Sequence, residues 1–274
     1  MKHLFFDIEC ANCDEGRGKI CSFGYVLCDE EFNILDSRDI IINPDAPFHL
    51  TNRRDKRDIV LSYSEETFLN APKFPHYAKE IYELLSDKDS CVWGYAVVND
   101  VNFLISESQR YNLYLPDFCY FDAQLLLSDY KSVKDVMSLE RAVLELGISV
   151  QEEHNSLEDA MNTMYVVKNI CKNLGLSLKN VVRLSPRVKG AVVGGARVQT
   201  DGTPKKKVYL DIKEEIYNLP IEYGEESEAV VRENRQKAFN VYNAKKRLLH
   251  NYDSGVKASA TIGELLGDIF KEEE

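Results

Sequence analysis

The sequence predicts an α/β fold, a mixed β-sheet with helices packed on it, followed by a C-terminal extension. Three strand-like segments come first, and two further ones then alternate with helix-like segments. The first three strands are joined by short turns, which predicts an antiparallel meander. This pattern fills about 175 residues, a normal domain size. The rest of the chain is rich in glycine and charge and lacks the alternation.

The predicted strands are short apolar stretches bounded by polar or turn-forming residues. They cover residues 2–10, 19–29, 32–43, 91–98 and 118–121. We expect a polar turn at 11–18 between the first two. We also expect Phe5, Phe6, Phe23, Tyr25 and Trp93 to be core residues rather than platforms on which bases stack.

The predicted helices show apolar residues at helical spacing with recognisable ends. Ser64 predicts the start of a short helix, and Pro75 opens the next. Asn99 and Asp100 are interpreted as the cap of a helix that follows a buried strand. The predicted helices after Pro75 cover residues 76–86, 99–111, 122–130, 138–146 and 156–174. Gly175 ends the last of them.

The prediction divides the chain into a domain at 1–178 and an extension at 179–274. The extension has a basic, glycine-containing loop or hairpin at 186–207, a charged helix near 226–250 and an amphipathic terminal helix at 261–270. It is a candidate surface for a protein partner or for self-association. Its basic part stands out because the whole chain carries a net charge of −11. Residues 172–207 carry nine Lys or Arg and one acidic residue, which favours either a solvated face or a track for nucleic-acid phosphates.

The composition predicts the cellular environment of the protein. No apolar run approaches the roughly 18 residues needed to cross a bilayer, and no signal peptide is visible. The seven cysteines lack the spacing of a disulfide framework, so we expect reduced thiols in a cytoplasmic protein. Cys10 and Cys13 form a C-x-x-C pair, but no second pair at ligand spacing accompanies them. Zinc or redox chemistry is therefore the minor alternative there.

Two carboxylates in the first strand raise the question of a metal site. Asp7 and Glu9 are two residues apart, so they leave one face of the strand together. Taken alone, they could simply end the strand in water. If buried, they repel each other, and a divalent cation removes that cost. Asp100 follows a buried strand, and Asp159 lies near the start of a long helix. Four carboxylates suit two hard cations in phosphodiester hydrolysis, with His154 available to deprotonate water.

Three stretches of the sequence resemble the three motifs of the DEDDh 3′–5′ exonucleases, a family with DnaQ-like and RNase T-like members. The first is Asp7-Ile8-Glu9. The second is Asp100 with Phe103 and Leu104 after it. The third is His154, five residues before Asp159. The histidine marks the DEDDh branch, and the resemblance covers roughly residues 1–175.

This resemblance implies an RNase H-like mixed sheet with helices on both faces. It implies release of nucleoside monophosphates from single-stranded DNA or RNA 3′ ends, with two Mg²⁺ or Mn²⁺ ions as cofactors. The catalytic residues it implies are Asp7, Glu9, Asp100, Asp159 and His154, of which the four carboxylates hold the metal ions and His154 is the general base. The substrate contacts it implies are at Ile8, Cys10, Phe103 and Asn155. Asp122 is expected to position neighbours rather than bind metal.

The chain departs from the common family pattern in two places. Cys10-Ala11-Asn12 stands where many relatives have Thr-Thr-Gly, and Tyr95-Ala96 where many have His-Asn. The sequence leaves DNA and RNA open as substrates. It also leaves open a non-catalytic module that holds a 3′ end or a protein partner without cutting. The complete set of carboxylates argues against that alternative, because a module that only binds has no need of uncompensated charge.

Overall fold

A computed structural model describes residues 1–14, 17–49, 60–133, 135–148 and 155–198. Seven strands, seven α-helices and one short 3-10 helix, Pro186–Val188, are present within these ranges. The strands are β1 Lys2–Asp14, β2 Arg17–Cys28, β3 Ile34–Ile41, β4 Ser90–Gly94, β5 Phe118–Asp122, β6 Lys189–Val193 and β7 Ala196–Val198. The helices are α1 Glu65–Leu69, α2 Phe74–Ser86, α3 Val98–Arg110, α4 Ala123–Lys131, α5 Leu139–Glu145, α6 Ser156–Leu174 and α7 Leu178–Leu184.

The strands form one mixed sheet in the order β3-β2-β1-β4-β5-β6-β7. The first three are antiparallel, as predicted, whereas β1, β4 and β5 run parallel. Helices cover both faces. One apolar cluster contains residues of α2 and α3, and the other contains residues of α4, α5, α6 and α7. Within the described residues, no helix is both long and apolar enough to cross a lipid bilayer.

The centre of the sheet is packed by aromatic side chains on alternating sides. Phe5 stacks on Trp93, which in turn stacks on Phe121, with ring centroids 6.0 and 4.8 Å apart. Phe6 points the other way and stacks on Phe23 at 5.4 Å. All five predicted core aromatics are buried, so this prediction is confirmed. The alternation follows from the two-residue repeat of a strand buried on both faces.

The hairpin of β1 and β2 is longer than the sequence predicts. The expected polar turn at 11–18 is wrong in extent, because β1 runs to Asp14 and β2 begins at Arg17. A bulge makes this possible. Cys10 opposes Ile20 and Cys13 opposes Gly18, so β1 carries one extra residue between these pairs. Polar residues such as Asn12 thereby stay in a strand, and the Asn12 side chain donates to the Pro47 carbonyl at 2.7 Å.

The sheet continues past residue 178. Lys189 to Val193 pairs with β5, and the β6–β7 turn uses Gly194 and Gly195 at positive φ. The hairpin alternative for the basic segment is therefore confirmed as far as Val198, and α7 precedes it where no element is predicted. The division into domains at 178 stays a prediction. The two predicted helices of the extension lie outside the described residues.

Candidate active site

The first strand carries Asp7 and Glu9 to one face of the sheet, as the two-residue repeat predicts. Their neighbours Phe6 and Ile8 are buried in the cluster on the opposite face, under α2 and α3. Both carboxylates are partly buried. They lie beyond Phe5, the last β1 residue that pairs with β4. The pairing of β1 with β4 therefore ends before the carboxylates.

The turn after β4 places Asp100 near Asp7. Ala96 has a positive φ of 52°, which turns the chain sharply after Gly94, and α3 begins at Val98. The prediction that Asn99 and Asp100 cap this helix is wrong. The cap residue is Val97, no side chain caps the helix, and Asp100 lies inside the first turn. Its carboxylate is buried, and backbone hydrogen bonding at Ile8 and at Asp100 itself only partly opposes the rise in its pKa.

Asp122 supports the same turn from β5. One of its carboxylate oxygens accepts the N–H of Ala96 at 3.2 Å and the N–H of Gln124 at 2.9 Å. It therefore caps α4 and holds the left-handed residue of the β4–α3 turn. These bonds match the expectation that Asp122 positions its neighbours.

Helix α6 brings Asp159 to the two carboxylates of β1. The Asn155 side chain caps the helix by accepting the N–H of Glu158 at 3.1 Å, and the N–H of Asp159 donates to the Asn155 carbonyl at 2.9 Å. The helix start rests directly on β2. A Cβ atom on Gly24 would lie 2.1 Å from the backbone nitrogen of Leu157, so only glycine permits this approach.

Three carboxylates converge at this point. One ligand oxygen from each of Asp7, Glu9 and Asp159 can be chosen so that all lie within 4.8 Å of one another, and no other such acidic, histidine or cysteine group occurs among the described residues. Asp100 is close enough to repel Asp7 electrostatically. The structure thus brings Asp7, Glu9 and Asp159 together at metal-ligand spacing, with Asp100 near Asp7 and Glu9.

Burial and mutual repulsion raise the pKa values of these acids. Desolvation is the largest cause for Asp7, whose pKa is raised further by Asp100, Glu9 and Asp159. Desolvation, then Asp159 and Asp39, raises the pKa of Glu9 to about 8. Desolvation also raises the pKa of Asp100. The charged forms of these carboxylates are therefore costly here, a cost that a cation would offset.

The residues implied as substrate contacts have different surroundings. The side chains of Ile8 and Cys10 are buried, so only their backbone atoms can face a ligand. Phe103 is half-buried, and its ring lies against Gly18 of the β1–β2 hairpin. Asn155 is the cap of α6. His154 lies outside the described residues.

The described part of the basic segment is partly engaged in structure. Arg187 donates through Nε to Asp129 at 2.7 Å and through Nη2 to Ser128 at 3.1 Å, which fastens the chain before β6 to α4. Burial is the largest cause that raises the pKa of the Tyr120 phenol, and a hydrogen bond with Arg197 opposes it. Lys205 to Lys207 lie outside the described residues. The choice between a solvated face and a phosphate track stays open.

Sequence reasoning missed the residues that hold α6 in place. Ser22 and Gly24 alternate on β2, and they lie opposite Glu9 and Asp7. Small residues at every second position of a strand can indicate that another backbone comes close on that face. This was the available signal. Asp39 on β3 gave none, because an acid on an edge strand is common.

Comparison with known proteins identifies the family. The model of the RNase T exonuclease family matches residues 4–167, more than half of the chain. The chain belongs to this exonuclease family. The predicted membership is confirmed, and with it the assignment as a nuclease, a hydrolase. Divalent-metal dependence is implied by the family. A comparison with curated proteins found no significant match.

Solved structures show the same fold. The nuclease domain of 3′hExo, a DEDDh family member bound to rAMP, is 15% identical with a TM-score of 0.51, over 63% of this chain and 92% of that chain. A 3′-exonuclease described with 3′-end specific recognition of a histone mRNA stem-loop is 14% identical with a TM-score of 0.55, over 75% and 93%.

Exonuclease I of E. coli in complex with a 5cy-dA13 oligonucleotide is 12% identical with a TM-score of 0.52. The similarity covers 68% of this chain and 43% of that longer chain. At such identities the likeness concerns the fold, and it confirms the predicted RNase H-like architecture.

Proposed function

We propose that this protein is a 3′–5′ exonuclease that removes nucleoside monophosphates from single-stranded nucleic-acid 3′ ends with the help of two divalent cations. The observation that carries the proposal is the convergence of Asp7, Glu9 and Asp159 beside the buried Asp100. The order of the acidic motifs along the chain and the family membership support it.

The carboxylates of this site fit hard divalent cations. All four groups offer oxygen ligands, which Mg²⁺ and Mn²⁺ prefer. Burial and repulsion make the group costly without positive charge, as the raised pKa values of Asp7 and Glu9 indicate. Asp7, Glu9 and Asp159 would hold the ions, with Asp100 as a further ligand from the α3 side.

In the proposed reaction the ions supply the positive charge that neutralises the phosphate and stabilises its displacement. The protein residues orient the groups around them. Asp7 and Glu9 are fixed by the rigid pairing of β1 with β2. His154 precedes the cap residue of α6 and is proposed to accept the proton of the attacking water, a task that suits a pKa near 6.5.

The backbone of β1 near Ile8 and Cys10 is proposed to meet the terminal nucleotide. The side chains there are buried, which leaves the main chain to make sequence-independent contacts. Phe103, half-buried on α3, is the proposed apolar contact for the terminal base. A single strand can unstack its last nucleotide to enter such a site, whereas a duplex must first be unpaired.

The test is degradation of single-stranded oligonucleotides by the full chain. A 5′-labelled strand should yield a ladder that shortens with time, and a 3′-labelled strand should yield mononucleotide from the first time point. Chelation of divalent cations should stop both reactions, and Mn²⁺ should restore them. Matched DNA and RNA strands of several lengths, and blunt duplexes, then define the substrate.

Asp7→Ala should abolish the activity, with Glu83→Ala as the matched control because that carboxylate is exposed on α2, on the other face of the sheet. Calorimetric titration should show Mn²⁺ binding to the wild type that Asp7→Ala weakens. A wild-type protein that binds no Mn²⁺, or an Asp7→Ala variant that cuts normally, would overturn the proposal.

A further inference from the structure

A hydrogen-bonded chain of three buried or half-buried side chains lies at the start of α6. Ser156, the first residue of the helix, is fully buried. Its hydroxyl donates to Oδ1 of Asp39 at 2.7 Å and lies 2.9 Å from the hydroxyl of Ser22. The chain therefore ties α6 to both β2 and β3. We call Ser22, Asp39 and Ser156 the α6 clamp.

The register of the sheet relates the α6 clamp to the candidate active site. Ser22 is the cross-strand partner of Glu9, and Gly24 is the partner of Asp7. Asp39 is in turn the partner of Gly24 on β3. The β2 and β3 residues on which the start of α6 rests thus lie in the same cross-strand rows of the sheet as the two β1 carboxylates. A shift of the helix start along these rows changes the distance between Asp159 and its neighbours.

Two different contacts constrain the helix start. The missing side chain of Gly24 sets how close the backbone at Ser156 and Leu157 comes to the sheet. That contact alone limits how close the start of α6 can come to the sheet, but it does not stop the helix from sliding along the sheet. The hydroxyl of Ser156 adds direction, because hydrogen bonds to Ser22 and Asp39 hold it from two strands at once. The carboxylate of Asp39 also lies at the end of the helix where the macrodipole favours negative charge.

We propose that the α6 clamp is the positioning device of the candidate active site, which fixes the first turn of α6 so that Asp159 meets Asp7 and Glu9 at metal-ligand distance. Ser22, Asp39 and Ser156 are positioning residues, and Asp159 is the group through which they act. The inference rests on the proposed function, since it concerns the same metal site. Groups that orient metal ligands typically change metal affinity or activity about 10–100-fold when removed.

The first test is Ser156→Ala in the full chain. We expect the Mn²⁺ concentration that gives half-maximal nuclease activity to rise about tenfold or more, and Mn²⁺ affinity measured by calorimetry to fall in step. Excess Mn²⁺ should restore part of the rate. The affinity for the oligonucleotide, reported by KM at saturating metal, should change little.

Ser108→Ala is the matched control. Ser108 is also a buried serine in a helix, and its hydroxyl bonds the Leu104 carbonyl at 2.6 Å and the Tyr82 hydroxyl at 2.6 Å. It lies in the last turns of α3, away from the carboxylates. Its removal should lower the melting temperature about as much as Ser156→Ala and leave the Mn²⁺ dependence unchanged. Equal Mn²⁺ dependence in both variants would overturn the inference.

A second pair of variants covers the case in which Ser156→Ala fails to fold. Asp39 is half-buried, so its replacement is tolerated more easily. Asp39→Ala should weaken Mn²⁺ binding, and Asp39→Asn should recover most of the loss because its amide oxygen still accepts from Ser156. If Asn is as damaging as Ala, the charge of Asp39 matters rather than its hydrogen bond, and the positioning role is wrong.

The outcome separates this inference from the proposed function. Wild-type protein without Mn²⁺ binding or nuclease activity contradicts the proposed function. Wild-type protein with both, together with clamp variants of unchanged Mn²⁺ dependence, contradicts only the positioning role.

Discussion

The two halves of β1 lie in one strand but have opposite electrostatic surroundings. From His3 to Phe5 the strand is paired on both sides, with β2 and with β4. Phe5 there packs between aromatic rings, and the one titratable buried side chain of this half, His3, is held neutral because burial lowers its pKa to about 4. From Asp7 to Glu9 only the β2 pairing continues.

The second half contains acids whose pKa values burial raises. This difference shows that pairing with β2 makes both halves rigid. The candidate active site lies only in the half where pairing with β4 has ended. Paired, apolar backbone stabilises the fold. Beside the second half, Asp100 comes from the first turn of α3, after β4, and the start of α6 packs on β2. Stability and activity should therefore respond separately to changes in the two halves.

Asp7→Asn should have the largest effect, and only on activity. Loss of one metal-binding carboxylate should lower the nuclease rate about a thousandfold, equivalent to about 4 kcal/mol of transition-state stabilisation. The metal-free protein should melt at the same temperature or higher, because the variant removes a charge that Asp100, Glu9 and Asp159 repel. Oligonucleotide assays and thermal melts in chelator measure the two. A large loss of stability would show that Asp7 is structural.

His3 should give a pH dependence of stability that belongs to the first half. The unfolded chain has a pKa near 6.5 at this position and the folded protein about 4, so the unfolded chain binds the proton more readily between these values. The contribution is fully present above pH 6.5 and falls by about 3 kcal/mol as pH drops to 4. Denaturant melts should show that wild type loses more stability over this range than His3→Gln does. Parallel pH profiles would contradict the prediction.

Gly24→Ala should lower the nuclease rate of the site in the second half by displacing the start of α6. The new methyl group meets the backbone of Ser156 and Leu157, so the start of α6 must move. A displacement of about 1 Å at a catalytic group can cost about a hundredfold in rate. Nuclease rate as a function of Mn²⁺ concentration, corrected for the folded fraction, measures it. A variant with lower stability and normal Mn²⁺ dependence would show that the site tolerates the shift.

Phe5→Leu should have the smallest effect, and only on stability. The smaller side chain leaves space against Trp93 and costs about 1–2 kcal/mol. The rate per folded molecule should stay at the wild-type level, since β2 still holds the second half in register. Denaturant titration and the oligonucleotide assay provide the comparison. A fall in rate without a fall in stability would show that a change in the first half of β1 also affects the active site in the second half.

Local patterns predict much of this molecule. Helix α6 matches its predicted bounds because two local signals agree, namely the apolar spacing within it and Gly175 after it. The convergence of Asp7, Glu9, Asp100 and Asp159 is likewise anticipated, since strand ends and helix starts meet at one edge of such a sheet. Family motifs added the choice of these acids over the many others.

Features that depend on contacts between residues far apart in the chain are not predicted by local sequence patterns. The cap of α3 is not predicted correctly, because the strained turn at Ala96 depends on Asp122, which lies on another strand. The pairing of β6 with β5 joins segments about seventy residues apart, and no local signal selects that partner. The α6 clamp is hidden for the same reason, since serine and aspartate in strands usually face water.

The packing of α6 on β2 also determines when, during synthesis, the active site is complete. Ser22 and Ser156 are 134 residues apart in the chain, and their contact closes the site over Asp7 and Glu9. During synthesis the first two carboxylates emerge long before the helix that carries Asp159. A growing chain therefore holds an incomplete site until α6 has left the ribosome and docked.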